Sequence, residues 1–270
     1  MIVLTPLKQF TLPVFANTIT TEAFLNNSVE EISKLPANEG NKQRTLGDLF
    51  KIEEAPGEKP NITLNGDFGK VKRIGQGMKN GEIVINGDAG MHTGEKMSGG
   101  KITINGNAGG WTGSQMKGGL IEIHGNASDY LASPYRGSDA GMKKGQIIVD
   151  GNIGSDSGCY MKGGVIKIKG SAGRFLGFHM TDGTIYVGNE VGSRPGANMH
   201  GGKIVVVGAV EELLPTFAID SVKPKVKVDE TFSAVGPFYV FMGDLAENGR
   251  GKIFAAKNAN PALKSYEKFL

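Results

Sequence analysis

A chain of 270 residues with 39% apolar and 21% charged residues is ordinary for a folded globular protein, long enough for one large domain or two small ones. Its formal charge of +3 comes with basic residues that neither run together nor interleave with aromatics, so no nucleic-acid partner is expected. With no apolar run of about 18 residues and no basic-plus-apolar leader, neither a membrane span nor a signal peptide is expected and cytoplasmic residence is; a single cysteine, Cys159, excludes an internal disulfide, a Cys-ligated zinc site and a self-supplied iron–sulfur cluster.

Residues 1–58 form a first, non-repeating segment. Ile2 to Leu4 and Phe10 to Leu12 suggest short strands, with Pro6 and Pro13 keeping them irregular or at an edge. Ser28 and Glu31 have capping-box spacing for a helix through about Leu35, and Thr45 to Phe50 suggests a second helix start.

From Gly75 to Gly208 one phrase, G-x-x-M-x-x-G-x-I-x-I-x-G, is repeated seven times. Its methionines fall at Met78, Met97, Met116, Met142, Met161, Met180 and Met199, a step of 19 residues except for one of 26. The glycines Gly81, Gly100, Gly119, Gly145, Gly164, Gly183 and Gly202 keep the same steps, so the phrase is an internal repeat. Within it the apolar residues alternate. Period-2 spacing sends Ile83 and Ile85 to one face and Glu82, Val84 and Asn86 to the other, and each inner position recurs as a column through Ile204 and Val206. Asn61 to Gly69 matches the strand half and reads as the first coil.

A 19-residue unit is too short for a strand, a packed helix and a return, but it suits one coil of a solenoid with short strands and glycine corners. The expectation is an all-β protein: a right-handed parallel β-helix over residues 59–210, with non-repeating caps at 1–58 and 211–270 that cover the open ladder ends. Within the last segment, Phe238 to Met242 and Lys252 to Ala256 read as a hairpin.

No chemical motif emerges. Lys70, Lys101, Lys203 and Lys252 follow glycine but precede Val or Ile, where a phosphate loop needs Ser or Thr. Asp67 and Asp88 start a column that continues as Asn107, Asn126, Asn152 and Ser171, so a calcium ladder is not expected. His92, His124, His179 and His200 read as solvated surface residues, Cys159 as a turn residue, and the methionines as core filler. Neither a catalytic triad nor a carboxylate pair can be read out, and no catalytic, cofactor-binding or metal-ligating residue is assigned to this chain.

The seven repeats, the opening VLTPLKQFTLPVFANTIT and the closing GPFYVFMGDLAENGRGKIFAAKNANPALKSYEKFL together resemble the C subunit of formylmethanofuran dehydrogenase, of the tungsten or the molybdenum type. The repeat region alone is also similar to the C-terminal β-helix of glutamate synthase. Two departures from the pattern, Asp139 at the leading glycine of the fourth unit and Gly188-Asn189 at the close of the sixth, leave the columns intact. The resemblance implies a structural, non-catalytic subunit of an oxidoreductase that reduces CO2 and attaches the formyl group to methanofuran in the first step of methanogenesis. It implies partners in the same complex: a pterin/metal subunit with tungsten or molybdenum, an amidohydrolase-like subunit with a dinuclear metal centre, and ferredoxin-like subunits with iron–sulfur clusters. A scaffold in another oxidoreductase of several subunits is the alternative; a polysaccharide-acting β-helix would instead show acidic and aromatic residues along one groove.

The 26-residue step marks the candidate partner interface. Seven residues must leave the coil between Ala127 and Met142, within SDYLASPYRGSDAG, a segment carrying Tyr130, Leu131, Tyr135 and Arg136. Stacked corners above and below would bring Trp111, Arg174, Phe175 and Arg194 onto the same ridge as Tyr130, Tyr135 and Arg136.

Overall fold

The computed structural model describes residues 1–57 and 61–270, so the expected cap-to-repeat boundary at residues 58 and 59 lies outside the described residues. The strands are β1 (Ile2–Pro6), β2 (Val14–Phe15), β3 (Pro36–Glu39), β4 (Lys42–Thr45), β5 (Phe50–Glu54), β6 (Ile62–Asn65), β7 (Val71–Lys72), β8 (Glu82–Asn86) and β9 (Ser98–Ile104). They continue as β10 (Lys117–Ile123), β11 (Lys144–Val149), β12 (Lys162–Ile168), β13 (Asp182–Val187), β14 (Lys203–Val206), β15 (Ala218–Lys227), β16 (Ser233–Gly243) and β17 (Gly251–Ala256). Among the described residues three short α-helices, α1 (Thr21–Phe24), α2 (Val29–Ser33) and α3 (Leu46–Leu49), lie in the N-terminal segment, and two 3-10 helices, Leu245–Glu247 and Pro261–Phe269, in the C-terminal one.

The repeat dictates the central architecture. β6 pairs in parallel with β8, and from β8 to β14 each strand pairs in parallel with its successor, in a register that sets Ile83 on Ile102, Ile102 on Ile121 and so on to Ile204, while β7 pairs with β2 in a separate four-stranded sheet. A second parallel line runs through single bridges, Phe68 to Ala89 to Ala108 to Ala127 to Ile153 to Ala172 to Val191 to Val210. The inner strand columns and all seven methionines are fully buried, which makes the methionines core filler, their flexible thioethers taking up the space inside the corners. The stack of parallel rungs is that of a β-solenoid. Asp88, Asn107, Asn126 and Asn152 turn out to be a hydrogen-bond ladder: each side-chain oxygen accepts the backbone N–H one coil further on, at 2.7–2.9 Å.

Both flanks join the sheet. β1 lies parallel to β6 with Ile2 on Ile62 and Leu4 on Leu64, so it continues the inner columns, and β5 closes that edge antiparallel. Capping boxes form at Ser28–Glu31 and Thr45–Asp48, the first opening a helix that ends at Ser33. Phe10 to Leu12 is not a strand. Phe10 turns inward to pack edge-on against Phe50 at 5.6 Å while Thr11 and Leu12 stay exposed, and the strand begins only after Pro13. At the far end β17 adds a parallel rung to β14, Ile253 continuing the column of Ile204, and β16 pairs antiparallel with β17, the hairpin read from the sequence.

A further strand, β15, pairs with β16, and the tip of this second hairpin folds back over the outward face of the sheet. Phe232 meets Tyr186 edge-on at 5.1 Å, and Asp229 accepts from Lys167 Nζ at 2.6 Å. The Lys167 bond, together with N–H groups of the hairpin turn, holds the Asp229 carboxyl well below the usual carboxylate range. A depressed folded pKa contributes stability above the unfolded value and loses it as pH falls through the folded one. Asp229→Asn should therefore cost about 1.5–3 kcal/mol at neutral pH, and the gap to wild type should close in acid. Urea denaturation across that range measures both; a neutral-pH difference that persists in acid would sink the account.

Candidate partner interface

One column of corner residues, Arg73, His92, Trp111, Tyr130, Asp156, Phe175 and Arg194, lies in the left-handed backbone region, with φ between 55° and 69°. Non-glycine residues there cost about 1–2 kcal/mol each, so seven in succession need a compensating reason for carrying side chains. The backbone is fixed by a ladder: His92, Trp111, Tyr130, Asp156, Phe175 and Arg194 each donate their N–H to a carbonyl of the next coil, at 2.9–3.2 Å. The side chains then project from the corner as a ridge.

Tyr130 belongs to this ridge, in the corner equivalent to Trp111, and does not lie in a departing loop. Register holds as far as Ser133, whose carbonyl accepts from Ser114 Oγ at 2.7 Å and whose Oγ accepts from Cys159 N at 2.9 Å. Leu131 and Ala132 are buried in the coil, so the seven residues in excess, 26 minus 19, are 134–140. That loop folds back toward the N-terminal coils. Tyr135 tilts over the His92 ring at 5.1 Å, donates to Glu95 Oε2 at 3.1 Å and accepts from Arg73 Nη2 at 3.3 Å.

The expected ridge residues divide into two groups. In the first, His92 stacks on Trp111 at 5.4 Å, Trp111 on Tyr130 at 4.5 Å, and Arg136 Nη2 donates to the Tyr130 hydroxyl at 3.2 Å. In the second, Arg194 lies 5.9 Å from the Phe175 ring centre, and Arg174 is exposed beside it. Asp156 separates them. His92 is buried rather than solvated, because the neighbouring rings and the Tyr135 loop cover it, and that burial holds its pKa below the usual value against the pull of Glu95. His179 also departs from the surface reading: half-buried, it stacks on Tyr160 at 4.8 Å, while His124 and His200 are exposed. Sequence reasoning read His92 as a solvated surface residue and gave no role to Glu95, Asp156 or Tyr160, although the corner column was visible in the spacing.

Between the loop and the ridge opens a cleft of about 390 Å³, walled by Tyr130, Tyr135, Arg136, Tyr160 and Phe178, with Asp156 and Cys159 in its lining. Burial pushes the Cys159 thiol up to about 12, so it is no nucleophile at neutral pH. A larger cleft of about 490 Å³ lies under the β15–β16 tip, but its charges pair internally: His124 with Asp150 at 2.8 Å, Lys169 with Asp150 at 2.7 Å, and Lys167 with Asp229. Among the described residues no group of three or more His, Cys, Asp or Glu side chains is arranged to hold a metal ion, and no helix is long and apolar enough to cross a membrane.

No family model matches the chain. The C subunit of the molybdenum-containing formylmethanofuran dehydrogenase 1 of Methanothermobacter thermautotrophicus is 44% identical over 92 residues, 34% of this chain and 23% of that protein. The C subunit of the tungsten-containing formylmethanofuran dehydrogenase 2 of Methanothermobacter wolfeii is 41% identical over 96 residues, 34% of this chain and 36% of that protein. The alignments thus span well under half of either relative. A chain in the crystal structure of the formyltransferase/hydrolase complex (FhcABCD) of Methylorubrum extorquens, in complex with methylofuran, superposes with a TM-score of 0.83 at 27% identity, over 94% of this chain and 99% of that one. The resemblance to the C subunit of formylmethanofuran dehydrogenase, in both metal types, is therefore found again by direct comparison.

Proposed function

From that relationship to the dehydrogenase's C subunit, we propose that this chain is a structural, non-catalytic subunit of a formylmethanofuran dehydrogenase complex, which reduces CO2 and attaches the formyl group to methanofuran. The observation that carries the reading is the 44% and 41% identity, over 34% of this chain, to C subunits of the molybdenum and tungsten dehydrogenases; the match of nearly the whole chain to one component of an assembly of several different chains supports a subunit role. In this reading the tungsten or molybdenum pterin, the iron–sulfur clusters that accept electrons and the dinuclear centre belong to the pterin, ferredoxin-like and amidohydrolase-like partners, in the cytoplasm. We read the stack as one closed, right-handed β-helix over the described residues 61–210, since parallel crossovers are right-handed and three lines of pairing run along it. The flanks are its caps.

The ridge of Trp111, Tyr130, Tyr135, Arg136, Arg174, Phe175 and Arg194 is the docking face in this account. Its composition is that of interface anchors, and its left-handed corners carry large side chains where glycine would cost the backbone less. Replacing Trp111, Tyr135 and Phe175 together by Ser should leave the isolated chain folded by circular dichroism yet weaken its retention in the complex at least tenfold. Normal retention and activity of the triple variant would move the interface to another face.

One observation favours a second reading: the whole-length match is to a formyltransferase/hydrolase complex, whereas the dehydrogenase subunits match over a third of the chain. Elemental analysis of the purified complex separates the two, since tungsten or molybdenum in stoichiometric amount is expected only of the dehydrogenase.

A further inference from the structure

The cleft between the 134–140 loop and the corner ridge holds a carboxylate that Arg136 and Arg174 reach only through space. Asp156 projects from the corner between Tyr130 and Phe175, half-buried, and among the described residues no hydrogen bond or ion pair reaches its carboxylate. The charged groups near it are Asp129, Arg136 and Arg174, and neither arginine comes within ion-pair distance. Arg136 is instead held by the Tyr130 hydroxyl, and the Asp129 carboxylate accepts the Ser155 N–H at 2.8 Å. The rings of Tyr130, Tyr160 and Phe178 line the same cleft as Asp156.

We propose that this cleft receives a basic side chain, the guanidinium or ammonium of an arginine or lysine of the partner subunit, paired with Asp156 and lying against the Tyr160 and Phe178 rings. The inference rests on the ridge being the docking face and adds the chemistry of what docks there. Aromatic faces attract a cation and a desolvated carboxylate completes its charge, whereas an anion would meet Asp156 and a neutral apolar group would bury it unpaired. The carboxyl is already held above its usual pKa, by burial first and Asp129 second, so a cation would relieve a strain present in the free chain. At about 390 Å³ the cleft admits the head and stem of one long basic side chain.

The test uses the remaining subunits of the complex, purified from a strain lacking this chain, and measures Kd for wild type, Asp156→Asn, Tyr160→Leu and the Trp111/Tyr135/Phe175 triple variant at low and high salt. Asparagine tolerates the left-handed backbone of position 156, so Asp156→Asn should fold, with an unchanged Tm as the control. Expected are a weakening of about tenfold for Asp156→Asn and Tyr160→Leu alike, and a shallower salt dependence for the former. A change below about threefold in Asp156→Asn, or tighter binding, overturns the inference. If that occurs while the triple variant fails to bind, the ridge reading stands and the cation falls; if the triple variant also binds as wild type, both fall.

Discussion

Replacing Ile104 by Ala should lower the free energy of unfolding by about 2–5 kcal/mol. Ile104 is fully buried in mid-stack, its register partners being Ile85 on one side and Ile123 on the other. Removing its branches opens a cavity that neither neighbour can fill, because each is fixed at the rung spacing by its own ladder bonds. Three residues earlier, on the opposite face of the same strand, Lys101 pairs with Glu122 at 2.8 Å with its side chain 40% exposed. Lys101→Ala should then cost only about 0.2–1 kcal/mol, the worth of an exposed pair. Chemical denaturation of the two variants is a direct reading of inward against outward; equal effects at the two sites would contradict the burial pattern on which the solenoid rests.

Much of the fold was legible because a repeat turns each inward position into a column. Ile83 alone is ambiguous between helix and strand, but seven aligned isoleucines with matching methionines and glycines leave little choice of period. The helix starts were legible for a local reason, since the Ser28–Glu31 capping box and the start at Thr45, which the structure shows to be a second box with Asp48, satisfy backbone donors within four residues. What escaped depends on contacts distant in sequence. β15 contains Pro224 and five residues that are largely exposed, so it shows no alternation; it is a strand because β16 offers an edge and because Val205, on the outward face of β14, offers an apolar surface for Val226 and Val228. The outward Tyr186 and Val205 were the available signal, apolar residues in positions that a solvated face would give to polar ones. The ridge was partly legible: its corner column follows from the spacing, but the loop reaches back to Arg73 and Glu95 through a single tyrosine, and no spacing encodes that. Asp156 was passed over because an acidic residue in a turn is ordinary until its missing partner is seen.

Gly119→Ala should destabilise the chain by about 2–5 kcal/mol, the sum of a left-handed backbone cost of about 1–2 and an overpacking cost of about 1–3. Gly119 has φ of +84°, and a Cβ built there lies 2.7 Å from Met97 Cε, 2.8 Å from Gly100 O and 2.9 Å from Gly99 C. The methionine can swing aside, but the two backbone atoms belong to the preceding coil and cannot retreat without lengthening ladder bonds. The same column is glycine in all seven repeats, from Gly81 to Gly202, so rung spacing and residue choice are two views of one constraint. Gly77 supplies the control. Its φ of +71° is as strained for alanine, yet a Cβ there meets nothing within 4 Å. Gly77→Ala should therefore show only the backbone cost, about 1–2 kcal/mol. The difference between the two substitutions isolates the close approach of successive coils. If both variants lost the same stability, conformational preference alone would account for the glycine column, and the methionines would be packing against coils free to move apart.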